Sequence, residues 1–159
     1  MVRFVIAALF TLIFTAALAG DFEDGVAAYE QKDYATALTK FRSAAQQGYK
    51  EAQYNLGVMY SKGQGVAQDY KEAVRWYQLA AKQGFAEAQH NLGRMYGLGQ
   101  GVLQDYTRAH MWLNIAAIAG DKDSVKGRDI AAGVMSAQQI EQAQRMAREC
   151  MSSNFTKCD

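Results

Sequence analysis

Between Asp69 and Gln83 the apolar residues Tyr70, Ala73, Val74, Tyr77, Ala80 and Ala81 recur at intervals of three and four. That spacing is one stripe of an α-helix, and Lys71 and Glu72 fall on its polar side. Asp69 stands where an N-cap belongs, its carboxylate near the positive end of the helix dipole. Gly84 follows the last turn, where a residue in the left-handed region commonly stops a helix. Upstream, Glu51–Tyr60 carries Ala52, Leu56, Met59 and Tyr60 on one face and predicts another helix. The predicted unit is a helix, a glycine-rich loop and a second helix.

The same phasing returns along the chain. Asp33-Tyr34, Asp69-Tyr70 and Asp105-Tyr106 stand 36 residues apart. At the same interval come Ala37, Ala73 and Ala109, then Phe41, Tyr77 and Leu113. The doublets Ala44-Ala45, Ala80-Ala81 and Ala116-Ala117 follow, and after them Gly48, Gly84 and Gly120. Gly63-Gln64-Gly65-Val66 is repeated as Gly99-Gln100-Gly101-Val102, and Asn55-Leu56-Gly57 as Asn91-Leu92-Gly93. A period of this length marks an array of stacked repeats, each burying its apolar face against its neighbours. The alanines and glycines at the seams let helices approach closely, and a bulky side chain there would overpack them.

These residues resemble the Sel-one-like repeat (SLR) family, a relative of the tetratricopeptide repeat. One unit matches the family pattern with Ala52, Leu56, Gly57, Tyr60, Gly63, Gly65, Val66, Asp69, Ala73, Trp76, Ala80, Ala81 and Gly84. The next matches with Ala88, Leu92, Gly93, Tyr96, Gly99, Gly101, Val102, Asp105, Ala109, Trp112, Ala116, Ala117 and Gly120. The resemblance implies an all-α fold, a right-handed solenoid of antiparallel helix pairs over residues 20–130. Its units are about 21–48, 49–84 and 85–120, with the start of a further one.

Both ends depart from the pattern. With Gly25 aligned on Gly57, the loop before Asp33 is shorter and lacks G-x-G-V, which is tetratricopeptide spacing. After Gly120 the pattern fades, and Asp129 stands where a glycine is expected. Ser136 and Gln139 form a capping-box pair that opens a last helix through Ile140, Ala143, Met146 and Ala147 to about Cys150. Residues 131–159 therefore predict a capping helix and tail.

At the N-terminus, Met1-Val2-Arg3 is a short positive region, Phe4–Ala16 an apolar run and Ala17-Leu18-Ala19 a small-x-small site. This predicts a secretory signal peptide over residues 1–19. A membrane anchor is the competing reading, but Phe4–Ala19 falls short of the roughly 20 residues a spanning helix needs. The expected location is periplasmic or secreted, with no stable membrane insertion after cleavage.

Without Arg3 the chain balances 16 basic against 16 acidic residues, and no Lys or Arg cluster marks any helix. Nucleic acid and anionic membrane are poor partners for such a chain. Proline is absent, as suits helices joined by short glycine-punctuated loops. The two cysteines, Cys150 and Cys158, predict a disulfide in an oxidising compartment; two idle thiols on a frayed end are the alternative.

Catalytic chemistry finds little support. His90 and His110 are the only histidines, and in a repeat array each reads as a half-exposed packing residue. Gly97-Leu98-Gly99-Gln100-Gly101 looks like a phosphate loop, but it follows a helix and belongs to the repeat. No metal site or cofactor is expected. Some cysteine-rich SLR proteins have been described as penicillin-binding or weakly β-lactamase-like, which makes that activity the alternative reading. Those relatives carry a cysteine pair in each repeat; this chain does not, and it lacks the serine β-lactamase motifs.

What remains is binding of a protein or peptide partner by a monomeric adaptor. In tetratricopeptide-like arrays the first helix of each pair lines the concave face. Carried over, that surface is Phe22, Val26 and Tyr29, then Tyr54, Val58 and Lys62, then His90, Arg94 and Leu98. Aromatic and aliphatic residues with a few charges suit an extended peptide or a partner helix, although Tyr54, Val58 and Leu98 could equally pack against adjacent helices.

Overall fold

Asp33, Asp69 and Asp105 each start the second helix of a pair. In the computed structural model, which describes residues 20–158, their carboxylates accept backbone N–H groups of the first turn. The segment read as a signal peptide lies outside the described residues. Asp69 takes both Lys71 N–H at 2.9 Å and Glu72 N–H at 3.1 Å. The helices they cap are α2 (Tyr34–Gln46), α4 (Tyr70–Ala81) and α6 (Tyr106–Ile118). The first helices of the pairs are α1 (residues 20–30), α3 (Lys50–Lys62) and α5 (Ala86–Leu98). After them come α7 (Lys122–Ala132) and α8 (Ala137–Ser152). No strand occurs among the described residues, and the architecture is a helical solenoid.

Each helix from α2 to α6 packs on the next in sequence, and α8 crosses back onto α6. The seams are lined by alanine: Ala37, Ala44, Ala52, Ala73, Ala80, Ala81 and Ala88 are all fully buried. Glycine sets the tightest approach. A Cβ on Gly57 would lie 2.5 Å from the Tyr77 ring, and one on Gly93 would lie 2.7 Å from Leu113 Cγ. Gly25 meets Phe41 in the same way at 2.7 Å, so one close contact recurs through three units.

The G-x-G-V loop uses its two glycines differently. Gly63 and Gly99 end α3 and α5 in the left-handed region, at φ 68° and 66°. Gly65 and Gly101 also have positive φ, and their backbones lie against Tyr34 and Tyr70, the first residues of α2 and α4. Each loop therefore closes onto the preceding unit, where no side chain would fit. Gln68 and Gln104 brace the loop by donating to the carbonyls of Ser61 and Gly97, both at 2.8 Å.

Buried glutamines add a second repeated tie. Gln53 and Gln89 donate Nε2 to the carbonyls of Ala45 and Ala81, each at 3.1 Å, joining a first helix to the end of the preceding second helix. A net contribution of about 1 kcal/mol each is ordinary for such bonds.

The C-terminal end is sealed by α8 and its tail. Ser136 and Gln139 form the capping box at its start. Ala147 and Cys150 enter the core cluster that holds Ala80, Leu92 and Trp112. Cys150 and Cys158 are joined by a disulfide with Cα atoms 4.5 Å apart, and Phe155 within this loop lies on Gly84 at the turn between α4 and α5. Nothing in the described helices is long and apolar enough to cross a membrane.

Candidate partner-binding groove

Helices α3, α5 and α7 bring their side chains to three adjoining depressions. The largest, about 470 Å³, has an apolar floor of Gly97, Leu98, Tyr106, Ala109, Leu113 and Ile130, with His90, Arg94 and Lys126 also on its lining. A polar pocket of about 270 Å³ is formed by Ser61, Tyr70, Tyr77, Asn91, Arg94 and Gln100. The smallest, about 170 Å³, is bounded by Tyr54, Glu87, His90, Asn91, Asp121 and Asp123. Arg94 borders the first two and His90 joins the first to the third, so the depressions read as one surface.

The two larger depressions are the same place in successive units. Adding the 36-residue period converts Ser61, Tyr70, Tyr77, Asn91 and Arg94 into Gly97, Tyr106, Leu113, Gly127 and Ile130. Three of these changes remove a polar group outright, and one replaces a cation with isoleucine. The polar pocket becomes a more apolar cleft of greater volume because the Ser61 and Tyr77 hydroxyls and the Asn91 amide have no counterpart there, while the tyrosine at the Tyr70 position is kept as Tyr106.

The electrostatics follow the side chains. Burial pushes the Tyr77 phenol up to about 12, partly opposed by the Ser61 hydroxyl, so it stays a neutral hydrogen-bonding group. Tyr54 is also raised, first by burial and then by the nearby charge of Glu87. Arg94 is exposed and makes no hydrogen bond or ion pair among the described residues.

The repeat itself settles the family. Sel1 repeats match residues 50–85 and 86–121. A Sel1 repeat protein from Oxalobacter formigenes is 31% identical, with a TM-score of 0.67 over 78% of this chain and 96% of that one. The chain belongs to the Sel1 repeat family. A protective antigen present in uropathogenic Escherichia coli strains, displaying an SLR fold, is 29% identical with a TM-score of 0.81. That similarity covers 87% of this chain but 31% of the antigen, so the chain spans about a third of it. Cysteine rich protein B of Helicobacter pylori shares the fold at 18% identity and a TM-score of 0.55, over 69% of this chain and 93% of that one. No curated protein matches the chain. Sel1 repeat proteins generally mediate protein–protein interaction, and the family is typically a non-enzymatic scaffold.

Within this Sel1 array the residues picked out from the sequence part into two groups. Tyr54, His90, Arg94 and Leu98 line the joined depressions, and Leu98 is 58% exposed. Phe22, Val26 and Tyr29 pack instead on the first core cluster: Phe22 meets the Phe41 and Tyr49 rings, and Tyr29 donates to Gln64 Oε1 at 2.7 Å. Val58 packs on the second cluster, and Lys62 is exposed at the end of α3. Tyr54 does both, stacking on Tyr77 and Phe85 while bordering the smallest pocket. Leu113, Gly97 and Gly127 were missed by the sequence reading, although their departure from Tyr77, Ser61 and Asn91 was available in the repeat.

One arrangement invites a catalytic interpretation. His90 Nδ1 lies 2.9 Å from Asp121 Oδ2 and 2.8 Å from Ser124 Oγ, and Ser124 donates to the same Asp121 oxygen at 2.6 Å. A nucleophile triad needs serine on one imidazole nitrogen and carboxylate on the other. Here both meet Nδ1, and Ser124 is completely buried. The cluster fastens the start of α7 to α5. Burial works to raise the Asp121 carboxyl, but the Ser124 hydroxyl, the Asp123 amide and His90 together hold it below the usual carboxylate range. The other histidine, His110, is not half-exposed: at 3% exposure it lies inside α6 packing. Among the described residues no group of His, Cys, Asp or Glu is arranged to hold a metal ion.

Proposed function

We propose that the protein is an exported adaptor that binds an extended segment of a protein partner along its concave face. The supporting observation is the joined surface across α3, α5 and α7, with exposed Leu98 and an unpaired Arg94 at its centre. Side chains of this kind, an arginine and large apolar groups beside pockets, supply most of the affinity in ordinary interfaces. Export is supported by the leader-like residues 1–19 and by the Cys150–Cys158 disulfide, which persists in oxidising compartments.

The test is differential capture. The chain from Gly20 onward, immobilised, is expected to retain a partner from envelope extract. Tyr54→Ala and Arg94→Ala should each weaken capture by roughly 1–3 kcal/mol while the helical circular-dichroism signal stays unchanged. Leu79→Ser, on the exposed side of α4, should bind normally. Loss of capture by Leu79→Ser with both groove variants intact would move the partner to the other side. A chromogenic β-lactam discriminates the enzymatic alternative, and no turnover above buffer is expected, because Ser124 is buried and hydrogen-bonded to Asp121.

A further inference from the structure

The two repeat-equivalent pockets differ in chemistry in a way that specifies what should occupy them. In the 270 Å³ pocket, Arg94 faces a lining of neutral hydrogen-bonding groups: the Ser61 and Tyr77 hydroxyls, Asn91 and Gln100. No acidic residue belongs to that lining, and Arg94 has no carboxylate partner among the described residues. The Ser61 hydroxyl already donates to the Val58 carbonyl, so it is the unpaired guanidinium, with the Asn91 and Gln100 amides beside it, that is complementary to a carboxylate, which arginine can take up through two parallel hydrogen bonds. One period further on, three of those polar groups have no counterpart: glycine replaces Ser61 and Asn91, and leucine replaces Tyr77, while His90, Asp123 and Lys126 stand on the lining of an otherwise apolar cleft. The resulting cleft of about 470 Å³ is wide enough for one large aliphatic or aromatic side chain.

We propose that this surface recognises an extended internal segment of a protein partner carrying an acidic side chain, seated on Arg94, and a large apolar side chain, seated in the cleft above Leu113. The proposal rests on the concave-face reading and specifies its ligand. Neighbouring packed helices lie roughly 10 Å apart, so the two anchors are about three residues apart in an extended chain that rises about 3.3 Å per residue. The carboxylate comes from a side chain and not a chain end, because the surface continues past Arg94 on both sides, toward Tyr54 and toward Ile130.

The cleft can be closed without disturbing the core. A Cβ on Gly97 meets only Ala109 Cβ, at an ordinary 3.6 Å, and its repeat equivalent is Ser61. Gly97→Leu would therefore place its side chain in the apolar cleft, while Arg94→Gln removes the cation and leaves the cleft open.

The probes are fluorescent peptides, acetylated and amidated at their ends, with Glu and Phe three residues apart in a Gly/Ser background. Fluorescence anisotropy should show binding to the chain from Gly20 onward. Replacing Glu by Gln, or Phe by Ser, should weaken it by about tenfold or more. With Arg94→Gln the Glu and Gln peptides should bind alike, and the preference for Phe should remain. With Gly97→Leu the preference for Phe should vanish, and that for Glu should remain. The proposal is overturned if wild-type protein binds the Glu and Gln peptides equally or ignores the Glu–Phe probe at millimolar concentration. It is overturned too if only a peptide ending in a free carboxylate binds. If these probes fail while Tyr54→Ala and Arg94→Ala still lose the captured partner, the concave-face reading stands and this assignment alone is wrong.

Discussion

At the scale of single residues, the repeat works through what each position cannot accommodate. Gly93 faces Leu113 with no room for a side chain, so Gly93→Leu should cost roughly 1–3 kcal/mol or more. Lys71→Leu, at an exposed position, should be nearly silent. Thermal melts of the two variants check this, and equal tolerance would contradict the packing described. Gly57 and Gly93 were legible in the sequence because their equivalence puts a glycine opposite Tyr77 and Leu113 in turn. Gln53 and Gln89 were not read, although they too are 36 residues apart. A glutamine on a helix looks like surface until its carbonyl partner is known, and that partner belongs to another helix. His110 was misjudged for a related reason: it stands at the Val74 position and shares its burial. Burial first, and the Arg128 charge next, hold its pKa below 6.5, with Asp129 opposing. The unfolded chain then binds the proton first, so this contribution to stability is full above pH 6.5 and drains as pH falls toward the lower folded value. Between pH 7.5 and 5.5, Tm should fall more steeply in the wild type than in His110→Val. Asp21, Asp33 and Asp121, whose carboxyls are depressed, lose their contributions only below their ordinary value of 3.8, outside that window. Parallel slopes for the two proteins would show that His110 does not titrate in this way.

At the scale of elements, caps and loops were the most legible features. Asp69 and the Ser136–Gln139 pair each announce a helix start through local chemistry, and local chemistry survives in the sequence; Gly84 marks the turn after α4 with its positive φ, although the helix itself already ends at Ala81. The destination of α8 was not legible. Its apolar stripe marks a buried face, but nothing along the chain says that the face lies on α6 or that the tail returns to Gly84. The disulfide holds that return in place. Closing a loop of eight residues' separation is worth roughly 2.5 kcal/mol through chain entropy. Cys158→Ser should therefore lower Tm by roughly 5–10 °C and expose Phe155. A Tm unchanged by the substitution would mean that the tail contributes nothing to the packing beneath it. The groove's two pockets lay between these extremes. Every residue that distinguishes them was visible at the repeat interval, but a loss of side chains reads as weak conformity until the space left behind is seen.

At the scale of the whole molecule, an array of stacked repeats offers a long surface, and its meaning depends on where the chain works. If residues 1–19 direct export, N-terminal sequencing of the envelope-fraction protein should read from Gly20; a protein beginning at Met1 or Val2 would favour an anchor. On the proposed reading, two units alike in backbone but different in lining chemistry would let one scaffold demand two features of its partner at once. Which side of the array carries that partner is the central claim. Its most direct test is photo-crosslinking in intact cells, with a photoreactive residue placed in turn at Leu98, at Tyr54 and, on the exposed side of α4, at Leu79. Adducts to one partner from positions 98 and 54, and none from 79, are expected. Adducts from position 79 with none from the other two would contradict the account.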